Sequence, residues 1–232
     1  MSNVKAAAKS TAKTINKIDK ISRGRVMIAA AEAGGDTALS CGLPDGSLAF
    51  ILSDGMGKGA KAADESRMVT FRLKELLKNG TAPSRAIKTI NRYMLELNGG
   101  REDFATVDLT VIDKQTGVAK FYKMGAATSF IIRSGKIKRI QQPALPVGII
   151  PSLSATCISV RLKAGDTVIM LSDGVTEADR QDLGALWLEE FLLKGVVGMG
   201  PKTMAEAIAS AACRKYENRE ADDLTVVVAM IK

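Results

Sequence analysis

Three apolar runs in this chain carry aspartate at one end, and two of those ends are the same tripeptide. Ser53-Asp54-Gly55 closes the first run (AFILSDGMGKG), Ser172-Asp173-Gly174 closes the second (TVIMLSDGVTEA), and Asp222-Asp223 opens the third (DDLTVVVAMI). Short runs of β-branched and large apolar residues bounded by glycine and turn residues read as buried strands. A fold that brings these strand ends together therefore converges several carboxylate oxygens from distant segments on one point. Such a cluster suits a hard divalent cation. The chain has no histidine, and Cys41, Cys157 and Cys213 lie far apart with no CxxC spacing. A site of the imidazole and clustered-thiolate kind that zinc, copper and iron usually recruit is thus not expected, whereas carboxylate, carbonyl and water suit magnesium and manganese.

A chain of 232 residues with 46% hydrophobic content can bury a substantial core and is expected to form one large domain. Three scattered cysteines give no disulfide framework, which points to a reducing compartment. No apolar stretch approaches the roughly 20 residues that a spanning helix needs, and the first residues lack the apolar core of a secretory signal. The expectation is a cytoplasmic protein with no transmembrane segment in this chain.

The formal charge of +8 is unevenly spread. Residues 1–25 hold Lys5, Lys9, Lys13, Lys17, Lys20, Arg23 and Arg25 against Asp19 alone, so most of the excess sits in the leader. Residues 1–24 are read as a basic helix or linker and 25–232 as the folded domain. Four of the lysines recur at i+4 and would form one stripe on a helix; a solvated face and a surface that docks a membrane or a partner both fit. Aromatic residues are absent there, so base stacking lacks its platform and no nucleic-acid partner is expected.

The rest of the chain alternates between the two periodicities. Strands are expected over 25–32, 37–43 and 47–53, then a helical hairpin over 60–97 with Asn79-Gly80 closing the first helix and Pro83 starting the second. Val69, Leu73, Leu76 and Leu77 share one helical face, and Ile87, Ile90, Met94 and Leu97 another. Strands over 104–113, 117–123, 128–133 and 136–141 read as an antiparallel meander. Two more follow over 155–162 and 167–172, then helices over 183–194 and 202–216 and a final strand over 224–231. Strands grouped with inserted helix pairs imply an α+β fold, two antiparallel sheets packed together with helices outside.

At this point the residues resemble a family. GGDT (34–37), SDGMGKGAKA (53–62), GAATSF (125–130), LPVGI (145–149), KAGDTVIMLSDGVTEA (163–178) and DDLTVVV (222–228) stand in the order seen in metal-dependent serine/threonine protein phosphatases of the PPM, or type 2C, family, and look closest to its bacterial sporulation and stress-response branch. The resemblance covers about residues 25–232. It implies an αββα sandwich with two manganese or magnesium ions in a cleft at one end. By motif position Asp54 looks like the ligand that bridges both ions, the Gly55 carbonyl like a ligand to one, and Asp173 and Asp222 like ligands to the other. Asp36 would hold metal-bound water, and Asp223 would bind metal in part or orient its neighbour. The implied catalytic set is Asp54, Asp173 and Asp222. The implied substrate is a phosphorylated regulatory protein of the anti-anti-sigma type, and the alternative is a catalytically silent binding module of the same fold.

Two cations a few ångströms apart neutralise phosphoryl oxygens and acidify a shared water, which a phosphoserine dianion otherwise repels. Each residue also has an ordinary structural explanation. After Gly34-Gly35, Asp36 reads equally well as a turn aspartate, and Asp173 as a helix cap. Asp166 reads better as turn chemistry than as a ligand. Gly57 and Gly59 would shape the cleft edge, with Lys58 a phosphate-facing charge. Asp108 alternates among apolar neighbours within a strand, and its role stays open. The helices over 60–97 follow Asp54 directly, so an upstream domain or partner acting on them would alter the metal site; they serve equally well as cover for a sheet face.

Overall fold

The fold was obtained as a computed structural model, which describes residues 19–21, 24–31, 35–57, 60–98, 103–179, 185–216 and 222–232. Residues 1–18 and 22–23 of the expected basic helix or linker over 1–24, Gly34, and the loop residues Lys58 and Gly59 lie outside the described residues.

Eleven described strands form two antiparallel sheets. The first runs in the order β1 (Asp19–Ile21), β2 (Gly24–Ala31), β11 (Val226–Ile231), β10 (Thr167–Leu171), β7 (Ser129–Arg133), β8 (Lys136–Ile140). The second runs β3 (Thr37–Gly42), β4 (Leu48–Ser53), β5 (Val107–Ile112), β6 (Val118–Met124), β9 (Ile158–Arg161). Helices α1 (Ala60–Lys78) and α2 (Pro83–Asn98) cover the second sheet, and α4 (Leu186–Lys194) and α5 (Pro201–Tyr216) the first; α3 (Asp173–Thr176) is a single turn after β10. The expected sandwich of two sheets flanked by helices is the observed architecture.

Side-chain alternation explains why the strands are apolar on both faces. Leu48, Phe50 and Leu52 of β4 point into the core between the sheets, while Ala49 and Ile51 point out beneath α1 and α2. In β10, Val168 and Met170 face inward and Ile169 and Leu171 face α4 and α5. A register slip of one residue would exchange the two sets, so both covers lock the pairing. The α1–α2 turn follows its sequence signals. Gly80 takes φ +79, its amide donates to Leu77 O (3.0 Å), and the Thr81 amide donates to Leu76 O (3.0 Å). This is a helix stop that satisfies two terminal carbonyls and favours glycine at the left-handed position.

Four expectations need correction. The four strands from 104 to 141 are not one meander: β5 and β6 pair in one sheet, β7 and β8 in the other, and the chain crosses at residues 125–128. Gly125 makes that crossing with φ +63, and a Cβ there would lie 2.4 Å from the Pro146 ring. Asp19–Ile21, expected in the helix or linker, pair with β2. Helix α4 begins at Leu186 rather than 183, after residues outside the description. Leu97, one turn beyond the buried Met94, is 58% exposed rather than packed.

Candidate metal centre

Strand register assembles the carboxylates in two pairs, one per sheet. Thr37 pairs with Ser53, which sets Asp36 beside Asp54; Leu171 pairs with Val226, which sets Asp173 near Asp222 and Asp223. The two pairs face each other at the same end of the sandwich, and Asp54 and Asp173 line one cavity together with Thr106, Asp108 and Ser172. Each expected ligand therefore lies at this end, with Lys58 alone outside the description.

The serine and glycine of each Ser-Asp-Gly have mechanical roles. Ser53 Oγ donates to Thr106 O (2.7 Å), Thr106 N to Asp54 O (2.9 Å), and Asp54 N to Thr106 Oγ1 (2.9 Å), so three hydrogen bonds to one residue fix the backbone of Asp54. In the second copy Ser172 N donates to Thr225 O (3.0 Å), Thr225 N to Ser172 Oγ (2.9 Å), and Ser172 Oγ to Asp223 O (3.1 Å). Ser172 occupies the position before α3 without a side-chain capping bond, and Asp173 is the first helical residue, so the cap reading of Asp173 fails. Both glycines allow close backbone approach. A Cβ on Gly55 would sit 2.1 Å from Ala62 O in α1, and one on Gly174 2.2 Å from Asp223 O.

Asp222 and Asp223 divide their work. Asp222 is exposed and accepts the Asp223 amide (3.0 Å), whereas Asp223 Oδ2 accepts the Gly35 amide and so anchors the turn that carries Asp36. Asp223 thus bonds its neighbour Asp222 only through its backbone amide, and its side chain serves Gly35 instead. Asp166 matches its turn reading: at the opposite end of β10 it accepts Lys163 N (2.7 Å) and two Arg133 nitrogens (2.8 and 2.6 Å).

The electrostatics are those of crowded like charges. Burial, then the charges of Asp36 and Asp173, push the Asp54 carboxyl up to about 8. Burial also lifts Asp36 to about 6, with the Asp223 charge adding to it; Ser172 and Thr225 lie close enough to oppose the rise. Neither Asp36 oxygen makes a hydrogen bond of ordinary geometry. Asp173 is raised as well, chiefly by burial and then by Asp222 among the neighbouring charges. Buried carboxylates without partners are costly, and a bound cation would offset that cost. Among the described residues no three acidic side chains close on a common point tightly enough to hold an ion as they stand. The donor set nevertheless fits a hard cation: carboxylate oxygens, two of them buried and unpartnered on Asp36, with backbone carbonyls nearby.

Reading the sequence missed the buttresses Ser53, Thr106, Ser172 and Thr225, although the serine repeated before each Asp-Gly was a signal. It also missed that Asp108 forms a buried ion pair with Lys123.

Residues 44–232 match the family described as Stage II sporulation protein E (SpoIIE). Stage II sporulation protein E of Bacillus subtilis (strain 168) is 38% identical over 184 residues, 79% of this chain and 22% of that protein. The protein of the same name from Priestia megaterium is 35% identical over 199 residues, 85% of this chain and 34% of that protein. The chain thus spans about a third or less of these relatives. The solved structure of the PP2C phosphatase domain and a regulatory-domain fragment of SpoIIE from Bacillus subtilis superposes with a TM-score of 0.80 at 34% identity, covering 90% of this chain and 64% of that one. This chain belongs to the stage II sporulation protein E family and carries its PP2C-type phosphatase domain.

Proposed function

We propose that this domain is a manganese- or magnesium-dependent protein phosphatase that hydrolyses phosphoserine or phosphothreonine on a regulatory protein of the anti-anti-sigma type. The observation that supports it most is Asp54: half-buried at a strand end, it is loaded by the charges of Asp36, Asp173 and Asp222, which come from both sheets. Two hard cations bound among these carboxylates would supply positive charge for the phosphoryl oxygens and acidify water for attack in line.

The chain's own residues do the rest. Asp54, with its backbone fixed by Thr106, and the Gly55 carbonyl, held against α1, would ligate at the β4 end; Asp173 and Asp222 would ligate at the β10–β11 end. Asp36 would position a water, its turn anchored by Asp223. Rigid strand ends leave these short side chains little rotational slack, which favours a preorganised site. The contact of Gly55 with Ala62 also ties the site to α1, so an upstream domain or partner that moves α1 and α2 would change metal occupancy.

The test is phosphate release from a phosphoserine protein with Mn2+, for the wild type and Asp54→Asn. Activity in the wild type that is lost in the variant is the expected result. A folded wild type that binds Mn2+ and releases no phosphate from phosphoserine or phosphothreonine substrates would make the domain a silent binding module.

A further inference from the structure

Asp108, Lys123 and Ser129 form a polar cluster inside the sandwich. On β5 the inward positions are Asp108, Thr110 and Ile112, and on β6 they are Ala119, Phe121 and Lys123; Asp108 and Lys123 stand directly opposite in register. Ser129 opens β7 in the facing sheet. Lys123 Nζ donates to Asp108 Oδ2 (2.5 Å) and to Ser129 Oγ (2.8 Å), and Ser129 Oγ donates to the same Asp108 oxygen (2.8 Å). The Lys123 side chain is fully buried and that of Asp108 is 1% exposed.

Stability alone does not account for this arrangement. Removing two charges from water costs more than their attraction commonly returns, and apolar residues of similar volume serve a core as well or better. The hydrogen bonding is also one-sided. Both donors serve Oδ2, while Asp108 Oδ1 is buried with no hydrogen-bond partner. Asp108 lines a cavity of about 20 Å³ with Asp54, Thr106, Ser172 and Asp173. That volume admits one water, which needs only about 10–15 Å³.

We propose that Asp108 is a positioning residue of the metal centre: its free oxygen holds one buried water that bridges it to the carboxylate of Asp54 or of Asp173, while Lys123 and Ser129 fix Asp108 in place. The water donates one hydrogen to Asp108 Oδ1 and the other to a ligand carboxylate, orienting that carboxylate toward the cation. Lys123 holds Asp108 by its other oxygen, Oδ2, and so leaves Oδ1 for the water. The inference rests on the metal-dependent reading above.

The test removes the polar cluster while leaving a packed core. In the variant Asp108→Val with Lys123→Met and Ser129→Ala, no buried charge is left unpaired, and circular dichroism and melting temperature report the fold. Mn2+ affinity is read by calorimetry, and the bound ion by electron paramagnetic resonance, with no substrate present. The expected result is a melting temperature equal to or above that of the wild type, a Mn2+ affinity weaker by about 10–100-fold, the usual effect of losing a residue that orients metal ligands, and an altered Mn2+ spectrum. If the triple variant misfolds, Ser129→Ala alone, which loosens Asp108 without stranding a charge, is expected to weaken Mn2+ binding by a smaller factor. A folded variant whose Mn2+ affinity and spectrum match the wild type overturns the positioning role and leaves the phosphatase reading standing. A wild type that binds no Mn2+ overturns both.

Discussion

Replacing Gly55 with alanine tests the link between α1 and the metal centre. The new Cβ would lie 2.1 Å from the Ala62 carbonyl oxygen, 2.7 Å from its carbon and 2.8 Å from its Cα, all backbone atoms of α1. No rotamer change relieves such an overlap, so either the helix or the Asp54-Gly55 segment must move by about 1 Å to restore contact distance. Overpacking of this kind costs about 1–3 kcal/mol, which for a domain of this size lowers the melting temperature by roughly 2–12 °C. The larger effect falls on the site. A displacement near 1 Å of a catalytic group is worth up to about 100-fold in rate. Gly55→Ala is therefore expected to lose about tenfold or more in Mn2+ affinity and about 100-fold in phosphate release. Gly42→Ala is the control, because a Cβ at Gly42 meets nothing within 4 Å. Calorimetric titration with Mn2+ and a phosphate-release assay on both variants decide the matter. A Gly55→Ala protein with wild-type affinity and rate would show that the close approach to α1 does not hold the ligand in place.

Two further outcomes follow from the same geometry. Asp36, Asp54 and Asp173 are raised above the ordinary carboxylate value, so the folded protein binds more protons than the unfolded chain between pH 3.8 and about 8. Their contribution is present below that window and lost as pH rises through it; for Asp36, a rise from 3.8 to about 6 corresponds to about 3 kcal/mol. In EDTA the melting temperature should fall from pH 5 to pH 8, and Mn2+ should suppress the fall, because a cation favours the charged carboxylates. Calorimetry that finds the metal-free protein more stable at pH 8 than at pH 5 would contradict the crowding. Arg133→Met should strand the buried Asp166 carboxylate, whose side chain is 1% exposed against 37% for Arg133. A loss of about 1–3 kcal/mol in chemical denaturation is expected, with Mn2+ affinity unchanged, since Asp166 lies at the far end of β10 from Asp173. A matching loss of metal affinity would refute that separation.

Much of the candidate site was legible before the fold was seen. Asp54, Asp173 and Asp222 each border an apolar run, and a run's end is a local property that period and composition reveal. The turn role of Asp166 was readable for the same reason. The cap reading of Asp173 failed because the helix takes in Asp173 itself and leaves the cap position to Ser172, whose hydroxyl turns instead to Asp223 and Thr225, partners 51 and 53 residues away.

The sequence by itself determined that the chain builds short two-faced strands, ends three of them in carboxylates, and offers oxygen ligands with no histidine among them. Those features depend only on residue type and spacing along a strand or helix. Tertiary structure alone decided that β6 and β7 belong to different sheets, that Thr106 anchors Asp54, that Asp223 grips Gly35, and that Lys123 pairs with Asp108 inside the sandwich. Sheet membership and buried polar partners are settled by which distant surfaces exclude water together, and alternation along one strand carries no record of the strand it will face.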